Sequence, residues 1–401
     1  FGFVQLEGDL AFEKAAASRT VKLADGTDAQ VTVLTVGGRN LSAFAGLHGG
    51  QSDATGLNLG SMDFALALLS DTQQTTRSWT SLQASAANAG LVGIDGLTVQ
   101  GRDLQLQINR AAHTTDAVVD YGLTAATNDG NARNTELTLA TGPSTSVQLT
   151  MDGQAGQLLR ASGYLQLDAF GFLQASGNFA LEKRTASVVL NDGVVSEDAT
   201  AARAASELQV DLLTIGASGV DAFAGIDGNT DHRLGLSLQG VNLGLAIMTE
   251  RLTAAQVTAG NTARHFTTLK AQADTAGLVG IDGVTASGTQ LQVEINRGIP
   301  GTGAIPDRVV DYSGTQLEVL AGSTGQTVVL DSDGSLGQLT RASGQVNMGL
   351  FGFASLSGFF SFESATRNVV LSDASTVAVN ALLVGGSHVN AFVAVNGGTS
   401  T

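Results

Sequence analysis

The chain has 401 residues, is 43% hydrophobic and carries a formal charge of −16, so it has material for a large core and argues against disorder despite its 51 glycines. With only four lysines, it argues against nucleic acid, whose phosphates need clustered Lys and Arg, and it disfavours an anionic membrane surface. Cysteine is absent, which removes disulfides and thiolate metal sites and points towards an extracellular setting.

The chain opens on Phe1-Gly2-Phe3, followed by Gly8, Leu10, Phe12 and Glu13. Val31 to Val36 reads as a strand. Ser61 to Ser70, with Phe64, Leu66, Leu68 and Leu69, fits a helix taken alone. Its counterpart further on, Gly240 to Met248, contains Gly244 and alternates, so both are read as strands. Gly101 precedes Leu104, Leu106 and Ile108, and this period of two puts the apolar side chains on one face and Gln105 and Gln107 on the other. The same figure returns as Gly240 before Leu243, Leu245 and Ile247, and as Gly288 before Leu291, Val293 and Ile295. Val147 to Met151, Ser187 to Leu190, Leu208 to Thr214 and Thr327 to Leu330 add further strands. The Ala-rich stretch 199–207 suggests one helical turn in a loop. Turns are marked at Asp25-Gly26, Asp129-Gly130, Asp152-Gly153, Asn191-Asp192-Gly193 and Asp333-Gly334, where Asp or Asn bonds its own backbone and Gly supplies positive φ.

A long internal repeat organises these elements. Phe-Gly-Phe recurs at Phe170 and Phe351, offsets of 169 and 181 residues. Between them, Gly90-Leu91-Val92-Gly93-Ile94-Asp95-Gly96 returns from Gly277, Ile108-Asn109-Arg110 returns from Ile295, and Val118-Val119-Asp120-Tyr121 returns from Val309. Arg160-Ala161-Ser162-Gly163 returns from Arg341. The chain therefore reads as unit 1–169, unit 170–350 and a partial unit 351–401, a segment of a longer tandem array.

The expected fold is all-β and elongated. A β-solenoid with Leu, Val and Phe ladders inside is favoured by high Gly and low Pro, with a string of β-sandwich modules as the alternative. Phe170 and Phe172 are expected to be buried where units join, and Glu13, Glu182 and Glu363 to face solvent.

Reactive motifs are sparse. His48 occupies a slot that holds Asp227 and Asn396 in the other units, so it reads as a polar turn and not as a general base. There is no Gly-x-Ser-x-Gly elbow, no phosphate-binding Gly-x-x-x-x-Gly-Lys loop and no His-Glu-x-x-His pair. Calcium is the one cofactor the residues suggest, in a structural role. Asp227, Asp231, Asp331 and Asp333 sit at loop spacing and offer oxygen ligands, although the EF-hand glutamate and the β-roll nonapeptide are missing. Asn109 and Asn296 fit an Asn ladder at a solenoid corner or a strand-end hydrogen bond. Arg160 and Arg341 are expected to pair with nearby carboxylates.

The recurring Phe-Gly-Phe, Gly-Leu-Val-Gly-Ile-Asp-Gly and Ile-Asn-Arg blocks resemble the repeat regions of very large bacterial secreted or surface proteins. That resemblance implies a structural or adhesive role without catalysis. The expected partners are copies of the chain or adjacent repeats, a cell surface or an extracellular polysaccharide. No nucleic acid is expected, and no apolar run reaches the roughly 20 residues of a membrane span. Three roles stand: a filament or stalk component, the spacer of an adhesin, and a carbohydrate-active solenoid enzyme.

Overall fold

The structure is a computed structural model and describes residues 3–122, 135–191, 207–303 and 308–393. The turn signals at Asp129-Gly130 and Asp192-Gly193, the Ala-rich residues 199–206, Asn396 and the first two residues lie outside that range. The chain is all-β, with a long antiparallel sheet of 14 strands that does not close into a barrel.

Two compact units are present, 1–166 with 180–185, and 167–179 with 186–401. The first contains β1 (Val4–Lys14), β2 (Arg19–Lys22), β3 (Asp28–Leu47), β4 (Thr55–Asp71), β5 (Ser78–Val92), β6 (Leu97–Ala111), β7 (Thr138–Gly142), β8 (Thr145–Gln148) and most of β9 (Leu158–Ala169). Its strand order is β1-β3-β4-β5-β6-β9, with β2 paired to β3 and β7-β8 as a separate hairpin. The second contains most of β10 (Leu173–Val189), then β11 (Glu207–Ile226), β12 (Leu234–Glu250), helix α1 (Ala254–Thr258), β13 (His265–Val279) and β14 (Val284–Ile299). It continues with β15 (Leu317–Leu320), β16 (Thr327–Leu330), β17 (Leu339–Leu350), β18 (Ala354–Val370) and β19 (Thr376–Val393). Here the order is β10-β11-β12-β13-β14-β17-β18-β19, with β15-β16 as the separate hairpin. Both Ser61 to Ser70 and Gly240 to Met248 are strand, as their alternation predicts.

Each unit has its core on one face of its sheet. In the first, Val31, Val33, Ala67, Leu69 and Trp79 lie beneath Val119, Tyr121, Leu139 and Leu149 of the segment that follows β6. In the second, Val210, Leu212, Met248 and Phe266 lie beneath Val310, Tyr312, Val319 and Leu330. Trp79 and Phe266 fill the same slot, and both are buried.

At Gly101 and Gly288 the "Gly, two spacers, apolar" figure is a β-bulge, whereas at Gly240 the glycine itself is the left-handed residue, with φ of 62°. Asp103 before Leu104 and Gln290 before Leu291 have φ of 53° and 52°, and the pairing register of β14 with β17 shifts between Thr289 and Gln292. Asn40 before Leu41 and His388 before Val389 repeat it, with φ of 49° and 50°. The apolar residue after the bulge folds across the neighbouring strand. A Cβ on Gly163 would lie 2.5 Å from Leu104 Cδ2, and one on Gly344 would lie 2.5 Å from Leu291 Cδ2, so a larger residue at either position would have to push that leucine aside.

The Phe-Gly-Phe blocks correct an expectation. Phe170 and Gly171 have φ of 55° and 69°, and Phe351 and Gly352 have φ of 46° and 74°. The amide of Phe172 donates to Ala169 O at 2.9 Å, and that of Phe353 to Leu350 O at 3.1 Å. Two successive left-handed residues closed by that bond make a type I′-like hairpin turn. Phe170 and Phe172 are therefore 61% and 59% exposed, at a turn that nothing within the unit covers, and are not a buried seam. Glu182 is correspondingly buried rather than solvent-facing, because it shares the core face with Ala180 and accepts from Arg160 and Arg184. Glu363 likewise accepts from Arg341 and Arg367, whereas Glu13 is exposed as expected. Replacing Phe172 with Ala should change the unfolding free energy by less than about 1 kcal/mol in urea titration, and a loss of several kcal/mol would place the ring in a core.

Candidate functional site

The most constrained chemistry lies beneath the segment that follows β6 and, in the second unit, β14. In the first unit the Tyr121 hydroxyl donates to Ser81 Oγ at 2.9 Å, Ser81 donates to Asn109 Oδ1 at 3.1 Å, and Asn109 Nδ2 donates to Val119 O at 2.7 Å. In the second, Tyr312 donates to Thr268 Oγ1 at 3.0 Å, Thr268 to Asn296 Oδ1 at 3.2 Å, and Asn296 Nδ2 to Val310 O at 2.8 Å. Ser81, Asn109, Thr268 and Asn296 are fully buried. Burial pushes both phenols well above the ordinary tyrosine value, so they stay neutral and keep donating. Asn109 and Asn296 are thus buried residues near the ends of β6 and β14 whose side-chain bonds hold the covering segment, which fits the strand-end bond and not a corner ladder.

A second repeated cluster fixes the same segment. Asp120 Oδ1 accepts from the amides of Gly122 and Gly153, both at 2.9 Å. Asp311 Oδ1 accepts from those of Ser313 and Gly334, both at 3.0 Å. Asp152 and Asp333 then cap short 3-10 helices by accepting from Gln154 N and Ser335 N, each at 2.8 Å.

Beside the covering hairpin of the second unit lies an open polar cleft of about 610 Å³. The pairing register lines its floor with a row of Asn242, Gln272, Gln292 and Ser343 on β12, β13, β14 and β17. The neighbouring row is charged. Lys270 donates to Asp331 at 2.6 Å, Arg341 Nη1 to Glu294 at 3.0 Å, Ser332 to Glu294 at 2.7 Å, and Arg341 Nε to Glu363 at 2.9 Å. The expected pairing of Arg160 and Arg341 with carboxylates is therefore present. In the first unit three of these positions are neutral, since Gln83 takes the place of Lys270 and accepts from Thr150, which takes the place of Asp331, and Gln107 takes the place of Glu294, while Arg160 and Glu182 keep the pair that Arg341 makes with Glu363. That unit has its own surface depression of about 510 Å³, where the Arg102 guanidinium stacks 3.7 Å from the Tyr164 ring centre.

The four residues expected to hold calcium do different things. Asp331 pairs with Lys270, Asp333 caps a 3-10 helix, Asp227 forms a left-handed turn residue with φ of 55°, and Asp231 is exposed. Among the described residues, no three His, Asp or Glu side chains gather as a metal-binding group. His48 also has φ of 55° and bonds Asp53 at 2.8 Å, which fits the polar turn read from its slot.

Sequence reasoning missed Glu250, which is buried at the end of β12. It takes a two-pronged bond from Arg264 at 2.8 Å and 2.8 Å, and the Arg264 amide adds a third at 3.0 Å. The first unit makes the equivalent pair, Arg77 with Asp71 at 3.6 Å, but Asp stands in place of Glu and the connection differs in length, so no repeated block marked them. The Ser81–Asn109–Tyr121 network was legible in principle, as polar residues duplicated inside apolar runs.

No protein-family model and no curated protein matches this chain. No helix among the described residues is long and apolar enough to cross a membrane.

Replacing Asn296 with Ala strands the Val310 carbonyl and the Thr268 hydroxyl in the core. It should cost about 2–4 kcal/mol in chemical denaturation. A cost near zero would mean that water reaches the network.

The side chain of Arg264 holds the Glu250 carboxyl below its ordinary value of 4.5, and Arg367 and then Arg341 do the same for Glu363. Folded values lie below unfolded ones, so this stabilisation is complete above about pH 4.5 and is lost as pH falls through the folded values. Thermal melting should therefore drop on acidification below that point, with a shallower drop in Glu250→Gln. Parallel pH profiles for the two proteins would deny Glu250 this role.

Proposed function

We propose that this chain is a structural repeat segment of an extracellular filament, stalk or cell-surface fibre, whose job is to extend and hold shape. One observation carries the reading: the two units share their buried anchors, while the cleft beside them changes charge at three positions. Asn109 and Asn296 make the same bonds, whereas Gln83–Thr150 in one unit becomes Lys270–Asp331 in the other. Duplication of a catalytic or ligand site would preserve the polar cleft. Duplication of a scaffold preserves the groups that fix the covering segment to the sheet.

The finer architecture we infer is an elongated, solenoid-like tandem array in which hairpin follows hairpin and length is added without a new fold. Copies of the chain or adjacent repeats are the natural partners in such an array. A spacer within an adhesin is the nearest alternative, since it makes the same physical demands. A carbohydrate-active enzyme is less well supported, because the cleft carboxylates Asp331 and Glu294 both carry cationic partners.

The test is electron microscopy and small-angle scattering of the purified chain. Filaments, or rods that lengthen in proportion to added units, are expected. Polysaccharide cleavage that disappears in Glu294→Gln would overturn the reading in favour of an enzyme.

A further inference from the structure

Most of the sheet face opposite the core is apolar and only partly buried within each unit. In the second unit, residues paired directly across antiparallel strands share a face, so one row on that side runs from Ala217 through Leu243, Ala271 and Val293. It continues on β17 to β19 as Ala342, Phe362 and Val384. Seven strands thus contribute to this row without one polar side chain. The next row holds Ile215, Leu245, Leu269 and Ile295. Ala217 at the start of the long row is buried, while Val293, Phe362 and Val384 further along it are 37%, 41% and 74% exposed. In the first unit Phe12, Val36, Leu66, Leu82 and Ile108 form the corresponding row.

We propose that this face is a self-association surface, on which the second unit of one copy packs against the same face of a second copy as a two-layer sandwich. The inference rests on the scaffold reading above and names the surface through which that scaffold associates.

Three features favour a second copy as the occupant. The first is area. Strands about 4.8 Å apart, with same-face residues about 6.8 Å apart, give each position a footprint of about 33 Å². The long row, the row beside it that ends in Thr340, Ser364 and Leu382, and a third that includes Val241, Ala273, Leu291 and Phe360 give roughly 700 Å² over seven strands, close to the ~800 Å² per partner of a stable interface. The second is charge. The long row contains no charged or hydrogen-bonding side chain, so nothing in it selects a partner of different chemistry. The third is relief. Ala217, Leu243, Ala271, Val293, Ala342 and Phe362 alternate small and large across successive strands, so an identical face offers hollows where the first offers ridges. Inner faces of sheets pack about 10 Å apart in this interdigitated way, and a two-fold axis makes one patch complementary to itself.

The experiment is sedimentation equilibrium of the full chain without detergent, from micromolar to about 100 µM. A monomer–dimer equilibrium is expected. Leu243→Glu with Val293→Glu should weaken it on the order of a hundredfold or more, because paired faces would bury unpartnered carboxylates. If that variant misfolds by circular dichroism, Leu243→Thr with Val293→Thr keeps strand preference and should still weaken the dimer. Lys270→Gln, on the opposite face, should leave it intact.

A chain that stays monomeric at 100 µM overturns the proposal. So does a dimer indifferent to both face variants, or a monomer that binds neutral phosphatidylcholine vesicles through this face. Microscopy of the same samples separates the two readings. Filaments that persist in the face variants would leave the scaffold reading standing and sink this one. Face-dependent dimers that never extend would do the reverse.

Discussion

Everything in each unit depends on one buried amide. Asn109 and Asn296 sit near the end of a strand, with no solvent to satisfy them, and each gives its N–H to a carbonyl of the segment that follows the strand. A buried polar group that lost its partner would cost more than the bond itself contributes, so the segment is held where its Val-Val-Asp-Tyr stretch can cover the sheet. The Asp120 and Asp311 carboxylates then pin the exit of that stretch to the glycines of the next turn. The apolar core forms between sheet and segment only because these polar bonds set the distance.

This arrangement inverts the usual meaning of alternation. Beyond its apolar end, the covered face carries Asn, Gln, Glu and Arg, because the covering chain presents backbone that wants hydrogen bonds. The other face carries Leu, Ile, Val and Phe. A strand such as Leu104-Gln105-Leu106-Gln107-Ile108-Asn109 therefore turns its polar residues towards the cover and its apolar residues away from it. The exposed Phe turns and the buried Glu182 follow from the same inversion.

That is also the limit of what could be read beforehand. The strands, the Asp-Gly turns and the duplication were visible, because alternation and turn residues are local signals. The bulges were visible as a pattern without a meaning, since the left-handed residue was Asn, Asp, Gln or His and never one signature. Which face would be covered was not visible, because period-two alternation separates two faces without naming the inner one. Phe170 looked like core by its size, and its neighbour Gly171 was the truer clue. Glu250 and Arg264 meet across a connection whose counterpart, from Asp71 to Arg77, differs in length and sequence.

The bulges have a further consequence. Strands here run to 20 residues, as in β3, against a usual five or six, and a terminal turn sets register only weakly over that length. A left-handed residue with a glycine facing the next side chain can occupy only one level of the ladder. Sliding a hairpin by two residues would keep every apolar side chain on its own face, yet it would drive Leu291 away from Gly344 and into a neighbour with a Cβ. Each bulge thus acts as a detent against mispairing. In a chain whose strands recur from unit to unit, a wrong partner offers many of the same side chains, and the bulges favour the native pairing over such an exchange.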